Sequence, residues 1–307
     1  MRNEKRIDMS QMIQVADVCK TYCDGTVVAL DQVCFSAEEG SIIGIVGRNG
    51  AGKSTLFKII CSVIPFDSGS VMIRNKNARI DQISYLPEVR GLSPKQLVGE
   101  HLVDLLCYKG IKRSDAKMMV KLCLLDFGVD EFINRRIDTL SKGNQQKIQF
   151  ISAVANKPEI LILDEPFSGL DIIAADFFWE IINRLSQQGT TILFSTHVFG
   201  DKLTFCDQFM FLVKGKIVEY GALDVIRRKN PYILELNCSE VSQDLIKDAL
   251  GDRGFAYTGD GFTIILRSED DAKQIYQRLG MPYCKKFVVR KLRIDELFRK
   301  YNDESYI

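Results

Sequence analysis

The sequence predicts an α/β protein with a parallel sheet covered by helices and a second, smaller α+β domain. Three apolar runs, 41–47, 158–166 and 190–197, have the length and composition of fully buried strands, and helical segments lie between them. A glycine-rich motif joins the first of these strands to a helix. The composition then changes near 227–232, and 307 residues are enough for more than one core.

The N-terminal part is predicted to begin with a flexible, polar extension over residues 1–11. Segments 12–22 and 27–37 alternate apolar and polar residues, which is typical of half-buried antiparallel strands. Residues 53–64 have helical periodicity and stop before Pro65. Residues 94–136 are rich in helix formers and predict a helical insertion, which places a helical subdomain at about 90–156.

The C-terminal part, 231–307, is predicted to form a separate domain. Its pattern gives strands at 232–237, 255–259, 262–267 and 285–291, and helices at 242–251, 268–280 and 293–302. Apart from the last helix, this is the β-α-β-β-α-β order of ferredoxin-like domains.

Composition excludes several classes of function. Apolar content of 46%, charged content of 26% and a net charge of +1 are ordinary for a globular protein and predict no nucleic-acid partner. No apolar run approaches the roughly 20 residues that span a bilayer, and the N-terminus lacks the apolar core of a signal peptide. The nine dispersed cysteines are interpreted as reduced core thiols, without a metal or disulfide role.

The strongest motif is "GRNGAGKST" at 47–55, which follows a buried strand and opens a helix. Its glycines allow the backbone amides to surround a phosphate, Lys53 supplies positive charge, and the Ser54 hydroxyl is a ligand for Mg²⁺. The candidate phosphate-binding residues are Gly47, Arg48, Asn49, Gly50, Ala51, Gly52, Lys53, Ser54 and Thr55.

Two acids end the buried strand in "ILILDEP" at 160–166. A buried, unpaired carboxylate is costly, so a cation is expected opposite it. Beside a phosphate loop, Asp164 is predicted to hold Mg²⁺ and Glu165 to polarise the attacking water. The alternative is a structural salt bridge at the strand end.

Two further positions suggest ligand contact. His197 ends the strand at 190–197, at an edge where such sheets bind ligands, whereas His101 is assigned no role. In "LSKGNQQKIQF" (140–150), Ser141 and Gly143 stand at the start of a helix, where a hydroxyl, free amides and the helix dipole suit an anion. The alternative is that Ser141 only caps its helix.

These motifs together resemble the ABC ATPases, the nucleotide-binding subunits of ABC transporters. The phosphate loop, "LSKGNQQ" at 140–146, "LILDEPFSGLD" at 161–171 and His197 occur in the order and spacing of that family, across residues 12 to about 226. "YLPEVRGL" at 85–92 and the C-terminal extension resemble the drug- and sodium-exporter ATPases of bacteria.

The resemblance explains why one chain has two phosphate-binding motifs. In this family two cassettes dimerise head to tail, so that Ser141 and Gly143 would contact the γ-phosphate of ATP bound to the other subunit. Asp171 would end the segment that crosses the dimer interface, and Tyr22 would stack on adenine. The cofactors implied are ATP and Mg²⁺.

Some residues depart from the family pattern. Glu88 stands where most members have Gln, a residue that links Mg²⁺ and water to the transmembrane partner; exporters of this type often have Glu. Catalytic roles are therefore expected for Glu165, His197 and Glu88, and metal contact for Ser54, Glu88 and Asp164. Lys142 and Asn144 replace the third and fifth residues of the common LSGGQ signature, which predicts retuned hydrolysis rather than a dead site.

The expected function is that of an ATPase subunit of an exporter. It would act with a second cassette and a separate transmembrane permease, on the cytoplasmic face of the cell membrane. The alternatives are a soluble ABC ATPase that acts on ribosomes or DNA and a nucleotide sensor that does not hydrolyse ATP. One phosphate loop and no sustained heptads disfavour the first, and the intact Asp164, Glu165 and His197 disfavour the second.

Overall fold

The structure is a computed structural model that describes residues 11–74, 82–89, 91–196, 205–237, 255–258, 261–279 and 285–302. It divides into two compact units, Met1–Tyr220 and Gly221–Ile307. Residues 1–10 of the predicted extension and the helix predicted at 242–251 lie outside the described residues.

The first unit contains the elements of the predicted α/β domain. In chain order they are β1 (Gln11–Tyr22), β2 (Val27–Glu38), β3 (Ile42–Val46), α1 (Lys53–Ile60), β4 (Ser68–Ile73), β5 (Ile83–Leu86), α2 (Val98–Tyr108), α3 (Arg113–Asp126), α4 (Lys142–Val154), β6 (Ile160–Leu163), α5 (Ile172–Gln187), β7 (Thr191–Thr196), β8 (Gln208–Val213) and β9 (Lys216–Gly221).

The central sheet confirms the predicted parallel arrangement. Its strand order is β5-β6-β7-β3-β8-β9, and β5, β6, β7, β3 and β8 pair in parallel. All residues of β3, β6 and β7 are buried, as expected for strands covered on two faces. Because parallel strands end at one edge, the segments that follow β3, β6 and β7 meet there.

The two N-terminal strands form the predicted antiparallel pair, in a three-stranded sheet of order β2-β1-β4. Asp17 and Gln32 have φ values of 51°, and register shifts interrupt the pairing around them. The prediction that the cysteines are core thiols is wrong for Cys23 and Cys34, which are both exposed; Cys34 lies on the outer side of β2 between buried Val33 and Phe35. Across the part of the chain described, seven cysteines carry free thiols.

The first helix, α1, is shorter than the sequence predicted. It ends at Ile60 because Ser62, with φ of 56°, reverses the chain and the amide of Val63 bonds to the carbonyl of Lys58. The predicted helical insertion is present as α2 and α3, followed by α4. The core of the unit lies between the two sheets and α1, around Ile13, Leu30, Phe57, Ile162 and Met210.

The second unit contains α6 (Leu223–Lys229), β10 (Tyr232–Asn237), β11 (Phe255–Thr258), β12 (Gly261–Leu266), α7 (Glu269–Leu279), β13 (Lys286–Lys291) and α8 (Ile294–Asn302). Its antiparallel sheet has the order β11-β12-β10-β13. The unit begins several residues before the composition change used for the sequence-based boundary. The reason is that Arg227 and Asn230 bond to Leu292 and Tyr301, which ties α6 to the C-terminal segment.

Candidate nucleotide-binding site

The phosphate loop, 47–55, connects buried β3 to α1. At two of its glycines there is no room for a side chain. A Cβ at Gly47 would lie 2.5 Å from the carbonyl oxygen of Leu212, and a Cβ at Gly52 would lie 2.3 Å from the carbonyl oxygen of Ala29. Gly52 also has φ of 108°, which favours glycine. Arg48, Asn49 and Gly50 are exposed, so the outer part of the loop is open to a ligand.

Lys53 lies in the middle of this loop, although it is only 6% exposed. Its Nζ donates hydrogen bonds to the carbonyl oxygens of Gly47, at 2.7 Å, and Arg48, at 3.3 Å. It also lies 3.8 Å from Oε1 of Glu165. The structure therefore brings the two motifs at 47–55 and 160–166 together, with the cation of one beside the acid of the other.

The two strand-end acids are both buried: Asp164 is 3% exposed and Glu165 is 6% exposed. Oδ1 of Asp164 accepts a hydrogen bond of 2.6 Å from Ser195, and Oδ2 accepts one of 3.3 Å from Tyr85. Ser195 also accepts a hydrogen bond of 2.9 Å from the amide of Glu165. Within the described residues, Asp164 forms no ion pair with Lys or Arg.

Sequence reasoning missed Tyr85 and Ser195. Their signal is positional: β5 and β7 flank β6 in the sheet, so residues at the ends of those strands adjoin the strand-end acids. Burial, the charge of Asp164 and the hydrogen bond to it raise the pKa of Tyr85, so the phenol stays protonated and can donate.

Tyr22 lies at the end of β1 and is 40% exposed, as a stacking surface requires. Its hydroxyl lies 3.5 Å from Oγ1 of Thr55, so the structure places it beside the phosphate loop. The neighbouring Asp67 accepts hydrogen bonds from Lys20 and Thr21, which lower the pKa of its carboxyl to about 2.

Glu88 makes no described hydrogen bond or ion pair with the two acids. Glu88 is exposed and follows β5, and the carbonyl of the preceding Pro87 accepts a hydrogen bond of 3.1 Å from Gln149 in α4. His197 lies outside the described residues, directly after the end of β7 at Thr196.

The signature residues form a second group. Ser141 caps α4 by accepting a hydrogen bond of 3.3 Å from the amide of Asn144, and Asp171 caps α5 by accepting one of 2.8 Å from the amide of Ala174. Ser141, Gly143 and Asp171 line one surface cavity of about 590 Å³. No residue of the phosphate loop lines that cavity.

The oxygen donors around Asp164 and Ser54 fit Mg²⁺, a hard cation that prefers oxygen ligands and keeps several waters. Among the described residues no group of three His, Cys, Asp or Glu side chains could hold a metal by itself. A carboxylate and a hydroxyl are enough only when phosphate oxygens and water complete the coordination. Asp164 and Ser54 would therefore hold the ion only together with a bound nucleotide.

Comparison with known proteins identifies the family. The ABC transporter family profile matches residues 30–168. The ABC transporter ATP-binding protein YhaQ of Bacillus subtilis is 35% identical over 294 residues, which cover 94% of this chain and 97% of YhaQ. The chain belongs to the ABC transporter ATP-binding proteins.

Two further matches describe the breadth of the likeness. The Nod factor export ATP-binding protein I of Rhizobium etli is 30% identical over 227 residues, covering 72% of this chain and 71% of that protein. Among solved structures, the dimeric ABC transporter cassette MJ0796 is 26% identical with a TM-score of 0.63, covering 69% of this chain and 99% of the cassette. The predicted family and ATPase fold are thus confirmed.

None of the helices that the structure describes has the length and apolar character needed to cross a membrane.

Proposed function

We propose that this ABC protein binds and hydrolyses ATP with Mg²⁺ and thereby drives a separate transmembrane subunit of an exporter. The observation that carries the proposal is the meeting of Lys53 with the buried acids Asp164 and Glu165 at one edge of the parallel sheet. A strand-end acid pair without a phosphate loop would favour a structural role. Here a glycine-rich loop that carries Lys53 lies beside the acid pair.

The loop residues 47–55 would hold the phosphates, and Tyr22 would stack on the adenine ring. The Lys53 ammonium is already held by the carbonyls of Gly47 and Arg48, so its charge is in place before phosphate arrives. Ser54, Asp164 and Glu88 would hold Mg²⁺, which polarises the phosphate oxygens when bound. Glu165 would accept a proton from the attacking water, and His197 would assist from the end of β7.

The second cassette would supply Ser141 and Gly143 to this site. In the cap, the Ser141 hydroxyl accepts from the amide of Asn144, which leaves its own proton available to a phosphate oxygen. No atom of this chain lies within 4 Å of the place that a Cβ at Gly143 would occupy, so packing within the chain does not require glycine there. Glycine in a helix nevertheless costs about 1 kcal/mol relative to alanine. A closely approaching ligand accounts for glycine at this position, and Asp171 would lie at the same interface.

The transport role is supported by the family and by a relative that is named for Nod factor export. The permease would dock near exposed Glu88 and the helical segment α2–α3, holding this subunit at the cytoplasmic face of the membrane. ATP would close the cassette dimer because the closed state binds it more tightly, and hydrolysis would reopen it. The unit Gly221–Ile307 would be an accessory domain without catalytic residues.

The test is Glu165→Gln. The variant should bind ATP, lose turnover by at least about 100-fold, as expected when a general base is removed, and accumulate as an ATP-dependent dimer in size-exclusion chromatography. Glu159→Gln is the matched control. Glu159 lies directly before the start of β6, at the opposite end of the strand from Glu165, and its carboxylate accepts a hydrogen bond from Gln82. Near-normal turnover in Glu165→Gln would remove Glu165 from the mechanism.

A further inference from the structure

Two hydroxyl groups hold the carboxylate of Asp164 from opposite sides. Ser195, from β7, donates to Oδ1 at 2.6 Å, and Tyr85, from β5, donates to Oδ2 at 3.3 Å. Because β6 lies between these two strands, both hydroxyls come from paired strands of the sheet rather than from loops, with Ser195 fully buried and Tyr85 half-buried. The carboxylate is thus fixed at each of its oxygens.

Ser195 serves a second group at the same time. A serine hydroxyl has one proton and two lone pairs. Since the proton goes to Asp164, the oxygen is an acceptor for the amide of Glu165, which donates to it at 2.9 Å. One fully buried hydroxyl therefore joins the proposed magnesium ligand to the proposed water-activating residue.

The backbone at Glu165 needs such support. Its φ of 51° lies in the left-handed region, which is unfavourable for a residue with a side chain. In this conformation Oε1 of Glu165 lies 3.8 Å from Nζ of Lys53. The hydrogen bond from the Glu165 amide to Ser195 stabilises the turn that directs the side chain there.

We propose that Ser195 is a positioning residue for the ATPase reaction: its single hydroxyl sets both the carboxylate of Asp164 and the backbone of Glu165, while Tyr85 holds the second oxygen of Asp164. The inference rests on the proposed function, because it assigns Ser195 and Tyr85 to the residues that would hold Mg²⁺ and activate water. Residues that orient metal ligands in this way commonly change metal affinity or activity by about 10–100-fold when they are removed.

A matched control lies at the other end of the same strand. Thr191 is also fully buried, and its hydroxyl accepts from the amide of Gly40 at 3.1 Å and donates to the carbonyl of Glu38 at 3.0 Å. It makes the same kinds of bond as Ser195, but only to backbone and away from the acids. Thr191→Val therefore removes an equivalent buried hydroxyl without changing the site.

The experiment measures ATP affinity with Mg²⁺ and with EDTA in the full chain, together with thermal unfolding. In Ser195→Ala the affinity in EDTA should be unchanged, while the gain in affinity from Mg²⁺ should fall by about 10–100-fold. Ser195→Thr, which keeps the hydroxyl, should restore most of that gain. Thr191→Val should lower the unfolding temperature as Ser195→Ala does, yet keep the wild-type response to Mg²⁺.

Each of the other possible results contradicts one specific part of the proposal. An unchanged Mg²⁺ response in Ser195→Ala, or an equal loss with Mg²⁺ and EDTA, would make Ser195 a structural residue only. A threonine variant as impaired as the alanine variant would mean that the hydroxyl is not responsible. If Ser195→Ala does not fold, Tyr85→Phe gives the same decision, because it removes the other bond to Asp164. If the ATP affinity of the wild-type chain were the same with Mg²⁺ and with EDTA, the proposed function itself would be contradicted.

Discussion

Glu165 in the first unit and Glu296 in the second are buried to the same extent, each 6% exposed, but their surroundings differ. Glu296 accepts two hydrogen bonds of 2.7 Å from the guanidinium of Arg290 and one of 2.8 Å from the amide of Arg293. The ion pair of Glu165 with Lys53 is much longer, at 3.8 Å, and the lysine bonds more closely to loop carbonyls.

The difference separates a structural acid from a candidate catalytic one. A bidentate pair with an arginine occupies both carboxylate oxygens and leaves little room for a ligand. Its hydrogen bonds also offset part of the free-energy cost of burying both charges. A buried lysine and glutamate at 3.8 Å do not satisfy each other so fully. In the first unit the lysine thus bonds chiefly to the phosphate loop, whereas in the second the arginine bonds directly to the carboxylate.

The pKa of Glu296 agrees with this interpretation. Burial opposes its ionisation, but the hydrogen bonds from Arg290 and from the Arg293 amide outweigh burial and lower the pKa. The carboxylate is thus stabilised in its charged form by the protein itself, which is the property of an acid that holds a fold together.

The largest effect is expected at Ser141, which is proposed to serve the nucleotide of a second copy. Ser141→Arg should block ATP-driven dimer closure and abolish hydrolysis, because a bulky cation would occupy the start of α4, where the partner's nucleotide is proposed to bind. ATP binding to the monomer should stay almost unchanged. Closure is measured by size-exclusion chromatography with ATP; ordinary closure of this variant would refute the assignment of Ser141.

A mixture sharpens this test. Lys53→Ala and Ser141→Arg are each expected to be inactive, but their mixed dimer has one doubly altered site and one intact site. Hydrolysis should therefore return in part on mixing, measured as phosphate release, if one intact site suffices. If Ser141 served the phosphate loop of its own chain, mixing would restore nothing.

The next effect concerns Lys53 alone. Lys53→Ala should weaken ATP binding by about 10–100-fold, since a charge-assisted hydrogen bond contributes about 1.5–3 kcal/mol and each 1.4 kcal/mol is tenfold. Adenosine, which has no phosphates, should bind almost as before. Lys58→Ala in the same helix is the control, because Lys58 is exposed. An equal loss for ATP and adenosine would indicate misfolding rather than a lost phosphate contact.

The smallest effect on function is expected in the second unit. Glu296→Gln should lower stability by about 2–3 kcal/mol, because it leaves Arg290 with one acidic partner, Glu235. ATP turnover per folded molecule should not change. Chemical unfolding measures the stability and phosphate release measures the turnover. A large loss of turnover in the folded variant would contradict the assignment of Glu296 as a structural acid.

The pH dependence follows from the lowered pKa of Glu296. The stabilisation is fully present above the unfolded-state pKa of about 4.3 and is lost as the pH falls through the lower folded-state value. The stability difference between the wild type and Glu296→Gln should therefore narrow as the pH falls below about 4. A difference that stays constant down to pH 3 would contradict the assigned ion pair.

Much of the first site was predictable because its signals are local. The phosphate loop needs glycines at fixed offsets after a strand, and strand-end acids follow an apolar run directly, so both can be found in short windows of sequence. Tyr85 and Gln149 gave no such signal. A tyrosine in an ordinary strand and a glutamine in a helix become significant only when the fold places them against Asp164 and the carbonyl of Pro87.

The sequence by itself determined the family motifs, the alternation of buried strands with helices, and the four strands near the C-terminus, because each depends on residue type at short spacing. Only the tertiary structure decided which residues meet. Lys53 and Glu165 are far apart in the chain, as are Tyr85 and Ser195, yet adjacent parallel strands bring them to one edge of one sheet. The physical reason is that strand order is set by burial and pairing across the whole core, which no short stretch of sequence contains.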